Sequence, residues 1–168
     1  IDFFFSITRR QTRCTVGAQQ GLKQLSEQEI WAEWMLPDLP RRQVESISAE
    51  LMLAWQERKG RAVPKPGAGE TIRVLRQRGY RLGLISNTMS TLDIPRCLAA
   101  FGWQDFFEVV ILSVDIRVRK PSPEPFLEAA RKLSLAPSQC AYIGNRLSKD
   151  IAGCRQALQS GRDALQAA

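Results

Sequence analysis

From residue 66 onward the chain alternates short, almost wholly apolar runs with stretches of helical period, and nothing else in it restricts the fold as strongly. RLGLISN (81–87), EVVILS (108–113) and CAYIG (140–144) are predicted strands. GETIRVLRQRG (69–79), LDIPRCLAAFG (92–102), PEPFLEAARKLSL (123–135) and KDIAGCRQAL (149–158) are predicted helices, the first ended by Gly79 and the third entered at Pro123. Strands that are apolar throughout, rather than alternating, are buried on both faces. With helices between them, the fold class is α/β: a parallel sheet with helices on both faces. Ligands of such sheets bind beyond the carboxyl ends of the strands, so the polar residues just past each strand are where function is sought.

The segment before this alternation has a different character. Ser26 and Glu29 stand at capping-box spacing and open a helix, EQEIWAEWML (27–36), that ends before Pro37. Ile30, Trp31, Trp34 and Met35 form an apolar stripe on it, and Val44, Ile47, Leu51 and Trp55 form another on a helix predicted over 43–57. Both stripes read as the core of a small helical unit. Pro and Gly residues between 60 and 69 then mark a linker. The expected organisation is therefore a helical cap over 22–62, with 1–21 and 63–168 forming the α/β core.

Histidine is absent from all 168 residues, which excludes imidazole bases, Ser-His-Asp and Cys-His hydrolases and His-ligated zinc. Catalysis here has to run on carboxylates, Lys, Ser/Thr, Cys or a metal held by oxygen. The net charge of +7 comes largely from arginines and lysines between 41 and 81, spread among acids and without interleaved aromatics. That pattern is a solvated basic face, and no nucleic-acid partner is expected. Cys14, Cys97, Cys140 and Cys154 form no CxxC pair and are expected to be reduced thiols. No apolar run is long enough for a membrane span, and IDFFFSITRRQ is too short for a signal peptide, so the expected location is cytoplasmic.

Three predicted strand ends carry polar residues in order: Ser86-Asn87-Thr88, then Lys120 in RVRKPSPEPF, then Gly144-Asn145 with Asp150 in GNRLSKD. Singly, each has an ordinary explanation as a turn cap, a surface lysine or a helix-start carboxylate. Together, Ser86, Lys120, Asn145 and Asp150 are expected to converge on one cleft.

LGLISN, RKPSPEPF and YIGNRLSKDIAGCRQA resemble the second, third and fourth motifs of the haloacid dehalogenase-like (HAD) hydrolase superfamily, over about 66–157. The two preceding helices resemble the helical cap that many members insert. The resemblance implies a Rossmann-like parallel sheet with helices on both faces, and phosphate-ester hydrolysis with Mg²⁺ and an aspartyl nucleophile, on a small phosphorylated substrate. It implies that Ser86, Asn87 and Lys120 bind the substrate phosphate, with Lys120 also catalytic through its charge beside the nucleophile. It places Asn145 and Asp150, with the nucleophile, around the metal.

Two departures from the family pattern stand out. Asn145 replaces the usual Asp after Gly144 and removes a negative charge from the metal site. The first motif, Asp-x-Asp-x-Thr/Val, is absent; its nearest counterpart is Asp2-Phe3-Phe4-Phe5-Ser6, with Asp2 as nucleophile and metal ligand. Phe4 then holds the general-acid position and has no proton to give. SGRDALQAA (160–168) reads as more helix where a further strand is usual, so the expected sheet is truncated at both ends. The chain is then either a fragment or a divergent member. The alternatives to a phosphatase are a non-catalytic HAD-like binding domain and a metal-independent 2-haloacid dehalogenase.

Overall fold

The computed structural model describes residues 22–58, 60 and 62–166. The first described element is α1, a helical turn Glu27–Glu29 that widens into a π-helical stretch Ile30–Met35. The capping box forms as expected: Glu29 N–H donates to Ser26 Oγ at 3.1 Å, and Ser26 N–H donates to Glu29 Oε2 at 2.7 Å. Two helices follow, α2 (Arg41–Ser46) and α3 (Ser48–Arg58). The single helix expected over 43–57 is broken at Ile47, whose φ of −116° leaves the helical range. Ile47 is consequently 48% exposed and drops out of the predicted stripe. Ile30, Trp31, Met35, Val44, Met52 and Trp55 are buried in one cluster, with Trp31 and Trp55 packed edge to face.

The α/β region contains α4 (Ala68–Gln77), β1 (Gly83–Ser86), α5 (Asp93–Ala100), β2 (Val109–Leu112), α6 (Ser113–Ile116), α7 (Glu124–Lys132) and α8 (Ala152–Gln166). The last of these is preceded by a π-helical turn, Leu147–Ile151. β1 and β2 pair in parallel, Gly83 opposite Val109 and Ser86 opposite Leu112, with α5 in the crossover. α7 covers the sheet: Ala129 and Leu133 bury against Val109 and Ile111, flanked by Ile85, Ile116 and Leu135.

The third predicted strand is corrected by the structure. Residues 141–144 take no regular secondary structure, and Ile143 is 89% exposed. An apolar run becomes a strand only when a neighbour completes its hydrogen bonds, and none of the described residues forms a ladder with this one. A groove of about 560 Å³ is lined by Gly83 and Ile85 of β1 and by Ala141, Tyr142 and Ile143.

Arg41, Arg73 and Arg81 of the basic face are exposed and ion-paired. Arg41 meets Glu33 and Glu45, and Arg76 and Arg81 meet Glu108. Cys97, Cys140 and Cys154 are free thiols; Cys14 lies outside the described residues. No described helix is long and apolar enough to cross a membrane.

Candidate active site

Lys120 follows β2 by a loop and is held to the end of β1 by a reciprocal amide pair. Its N–H donates to Asn87 Oδ1 at 2.9 Å, and Asn87 Nδ2 donates to the Lys120 carbonyl at 3.0 Å. The Asn87 carboxamide is thus engaged with the lysine's backbone and sets where that residue sits. The other end of the loop is pinned by the segment leading into the helical unit. Lys23 and Val118 form an antiparallel bridge, Gln24 N–H donates to the Arg117 carbonyl and Arg119 N–H to that of Leu22, both at 2.9 Å. Glu29 adds contacts with Arg117 and Lys23.

The ammonium of Lys120 has three protons and three acceptors: Asp150 Oδ1 at 2.7 Å, Tyr142 Oη at 2.7 Å and the Ile85 carbonyl at 3.0 Å. Lys120 and Asp150 side chains are 10% and 6% exposed, so this pair is shielded from water. Asp150 is reached from the first turn of the final helical segment, with Arg146 N–H donating to its Oδ2 at 3.0 Å. Burial pushes the Asp150 carboxyl up, but bonds from Lys120 and Arg146, the lysine's charge and the Tyr142 bond outweigh it, holding it below the ordinary range. Tyr142 is pushed well up, first by burial and then by the Asp150 charge, which keeps its phenol a donor; that donation reaches Asp150 Oδ1 at 3.1 Å. Phe126 packs edge to face on the Tyr142 ring.

Two close approaches leave no room for a side chain. A Cβ on Gly144 would lie 2.5 Å from Asp150 Cγ, and one on Gly153 would lie 2.7 Å from the Pro121 carbonyl oxygen. Glycine at these positions lets the carboxylate and the final helix seat against the Lys120 loop.

The structure therefore brings Lys120, Asp150 and the Ile85–Asn87 end of β1 together. Ser86 closes β1 and is half-buried; Asn145 is exposed beside Gly144. Asp2 lies outside the described residues. Tyr142, a ligand of both charges, went unnoticed in the sequence. Its signal was a phenol two residues before Gly144, in a run otherwise suited to full burial. Lys149 stands on the rim: burial lowers its pKa first, then the Arg119 and Arg146 charges, with Asp150 opposing them.

The model of one protein family, the haloacid dehalogenase-like hydrolases, matches residues 8–157. The chain belongs to that family. A glyceraldehyde 3-phosphate phosphatase of Methanopyrus kandleri is 37% identical over 94 residues, covering 56% of this chain and 40% of the relative. A phosphoglycolate phosphatase of Nitrosococcus oceani is 35% identical over 92 residues, covering 55% of this chain and 40% of the relative. This HAD-like chain thus aligns with about two fifths of the length of those relatives. Among solved structures, a HAD phosphatase from Thermococcus onnurineus matches with a TM-score of 0.53 and 29% identity, over 64% of this chain and 48% of that one. A 2-haloacid dehalogenase from Pseudomonas syringae pv. Tomato has a TM-score of 0.67 at 22% identity, over 90% of this chain and 64% of its own, a likeness of fold alone.

A divalent cation makes demands that the described residues around Asp150 do not meet. Mg²⁺ asks for a near-octahedral oxygen shell, usually with more than one negative charge. Here both Asp150 oxygens already accept hydrogen bonds, one from an ammonium, and the neighbouring donor is the neutral amide of Asn145. No group of three or more metal-binding side chains occurs among the described residues. As they stand, these donors do not fit a Mg²⁺ site.

Proposed function

We propose that this chain is a HAD-type phosphatase acting on a small phosphorylated metabolite. The observation that carries the reading is the shielded Lys120–Asp150–Tyr142 cluster at the carboxyl end of β1, in a chain whose relatives are phosphatases of small phosphate esters. The Lys120 ammonium is positioned by its own backbone and offsets the charge of an incoming phosphoryl group by trading one of its neutral acceptors for a phosphate oxygen. Asp150 keeps that lysine in place. The Ser86 hydroxyl, on the last residue of β1, donates to a second phosphoryl oxygen. Asn87 has a positioning role through Lys120.

The attacking group in this reading is the Asp2 carboxylate. One of its oxygens bonds to phosphorus as the ester P–O bond breaks with its electron pair; water then cleaves the acyl phosphate to release phosphate. With Phe4 at the acid position, the departing oxygen leaves without a donated proton, a loss of about 10²–10⁴-fold for alkyl esters. Hydrolysis of p-nitrophenyl phosphate, whose leaving group needs no proton, tests the reading. Slow turnover is expected, falling at least about 100-fold in Lys120→Met. Equal rates in wild type and variant would overturn it.

A second reading, a non-catalytic phosphate-binding domain, is favoured by Phe4 and Asn145. Phosphate binding that Lys120→Met abolishes, without turnover of any ester, would establish it over the first.

A further inference from the structure

The most deeply buried polar residue among those described is Gln24, at 1% exposure. It lies in the segment that leads into the helical unit, and both ends of its carboxamide are engaged. Nε2 donates to the Leu25 carbonyl at 2.9 Å, and Oε1 accepts from Ser113 Oγ at 3.1 Å. The Leu25 carbonyl fixes that orientation, because the reversed amide would set two oxygens against each other. Ser113 directly follows β2 and is 2% exposed; its hydroxyl accepts from Thr88 N–H at 3.0 Å. The single proton of that hydroxyl is shared between Gln24 Oε1 and the Thr88 carbonyl, the latter also at 3.0 Å.

Thr88 directly follows Asn87, whose carboxamide exchanges two hydrogen bonds with the backbone of Lys120. Gln24 also donates its own N–H to the carbonyl of Arg117, at 2.9 Å, on the loop that leads to Lys120. One residue thus grips both arms of chain that carry the lysine: the end of β1 through Ser113, and the 117–120 loop through its backbone. We propose that the Gln24 carboxamide is a positioning residue for Lys120, acting through Ser113 and the Thr88 backbone and without touching substrate. Groups at this depth have no water to replace a lost partner, so a defect at Gln24 passes to Thr88 instead of being absorbed by solvent. The inference deepens the phosphatase reading, from which it takes the role of the Lys120 ammonium as a phosphate ligand.

Gln24→Met keeps the length of the side chain and removes both of its polar atoms. Hydrogen exchange of the full chain, without ligand, reads the consequence directly. The Thr88 and Lys120 amides, bonded to Ser113 Oγ and Asn87 Oδ1, should exchange about tenfold faster in the variant, while the amides of β2 keep their wild-type rates. Calorimetric titration with inorganic phosphate should show an affinity about tenfold weaker. Adding Gln24→Met to Asn87→Ala should weaken it little beyond Asn87→Ala alone, because residues on one path are not additive. A merely structural Gln24 would instead speed exchange throughout, β2 included, and leave the phosphate affinity of the folded chain unchanged. That result, or an unchanged rate at Lys120, or faster exchange there with phosphate affinity intact, would overturn the inference. Should Gln24→Met fail to fold, Ser113→Ala cuts the same path one step further on, and the Lys120 amide is again the readout. Faster exchange at Lys120 in a chain that binds no phosphate and hydrolyses no ester would overturn the phosphatase reading and leave the positioning of Lys120 standing.

Discussion

The helical unit over 22–58 and the α/β region after residue 66 bury their apolar surface in contrasting ways. In the first, three short helices close on one another, and Ile30, Met35 and Met52 are each about 1% exposed. Its buried cluster is drawn wholly from residues 30–55, with Met89 packed against it from the α/β region. In the second, Ile111 is equally buried, but the sheet of described residues has two strands and opens onto the groove lined by β1 and residues 141–143. Helices satisfy their own hydrogen bonds and need only a partner for one face, whereas a strand needs a partner along each edge as well. Enclosure in this molecule therefore follows element type and not hydrophobicity.

The contrast can be broken most directly by matched truncations. Ile30→Ala and Ile111→Ala delete the same atoms from sites of equal exposure. The first should cost about 4 kcal/mol and the second nearer 2, because Ile85, Ala129 and Leu133, which pack with Ile111, line the groove and can relax around its cavity more readily. Denaturant titration of both variants checks the order; equal costs would mean that the groove confers no freedom on the sheet.

A smaller effect is expected on the site where the two regions meet. Gly144→Ala forces Asp150 away from Lys120, with an expected loss of about 1–3 kcal/mol and of most phosphate binding, while the helical unit keeps its near-UV signal from Trp31 and Trp55. Retention of phosphate affinity in Gly144→Ala would show that the Lys120–Asp150 pair is not what organises the site.

Acid titration sharpens the comparison further. Asp150 and Glu29 both titrate below their ordinary values, Glu29 because the Ser26 amide and the Arg117 charge outweigh its burial. A depressed folded pKa contributes stability that is present above the unfolded value and is lost as pH falls through the folded one. The expected loss thus occurs below about pH 4, and Glu29→Gln should remove the part belonging to the junction between the regions, read as a shallower fall in melting temperature between pH 5 and 2.5. The smallest effect is expected from Arg73→Gln, which breaks an exposed pair with Glu70 within α4; its melting temperature should match wild type.

How legible this was from sequence depended on whether a feature is local. The Ser26–Glu29 box, the Gly79 stop, β1 and β2 and the closing helix all follow from residues within a few positions of one another. The convergence of Lys120 and Asp150 was legible as well, because strand ends of a parallel sheet share one edge. The strand expected at 140–144 was not secure, since its existence depends on a neighbour that no local pattern reports. The break at Ile47 escaped because Val44, Ile47, Leu51 and Trp55 keep a helical period across it. The role of Tyr142 depends on side chains meeting from separate loops, for which spacing carries no signal.

The bridge between Lys23 and Val118 joins positions about 95 residues apart. By logarithmic loop closure, bringing them together costs about 4 kcal/mol of chain entropy, against a handful of hydrogen bonds. Local helices assemble without that cost, and β1 and β2 close a shorter loop. Loop entropy alone therefore favours collapse of the two regions first and closure of the seam that aims Lys120 last. By the same logic the seam is the first part to open, so the amides of Gln24 and Arg119 exchange with solvent ahead of those in β2. An anion that binds only when the seam is closed would hold it shut, so ligand occupancy is expected to slow that exchange.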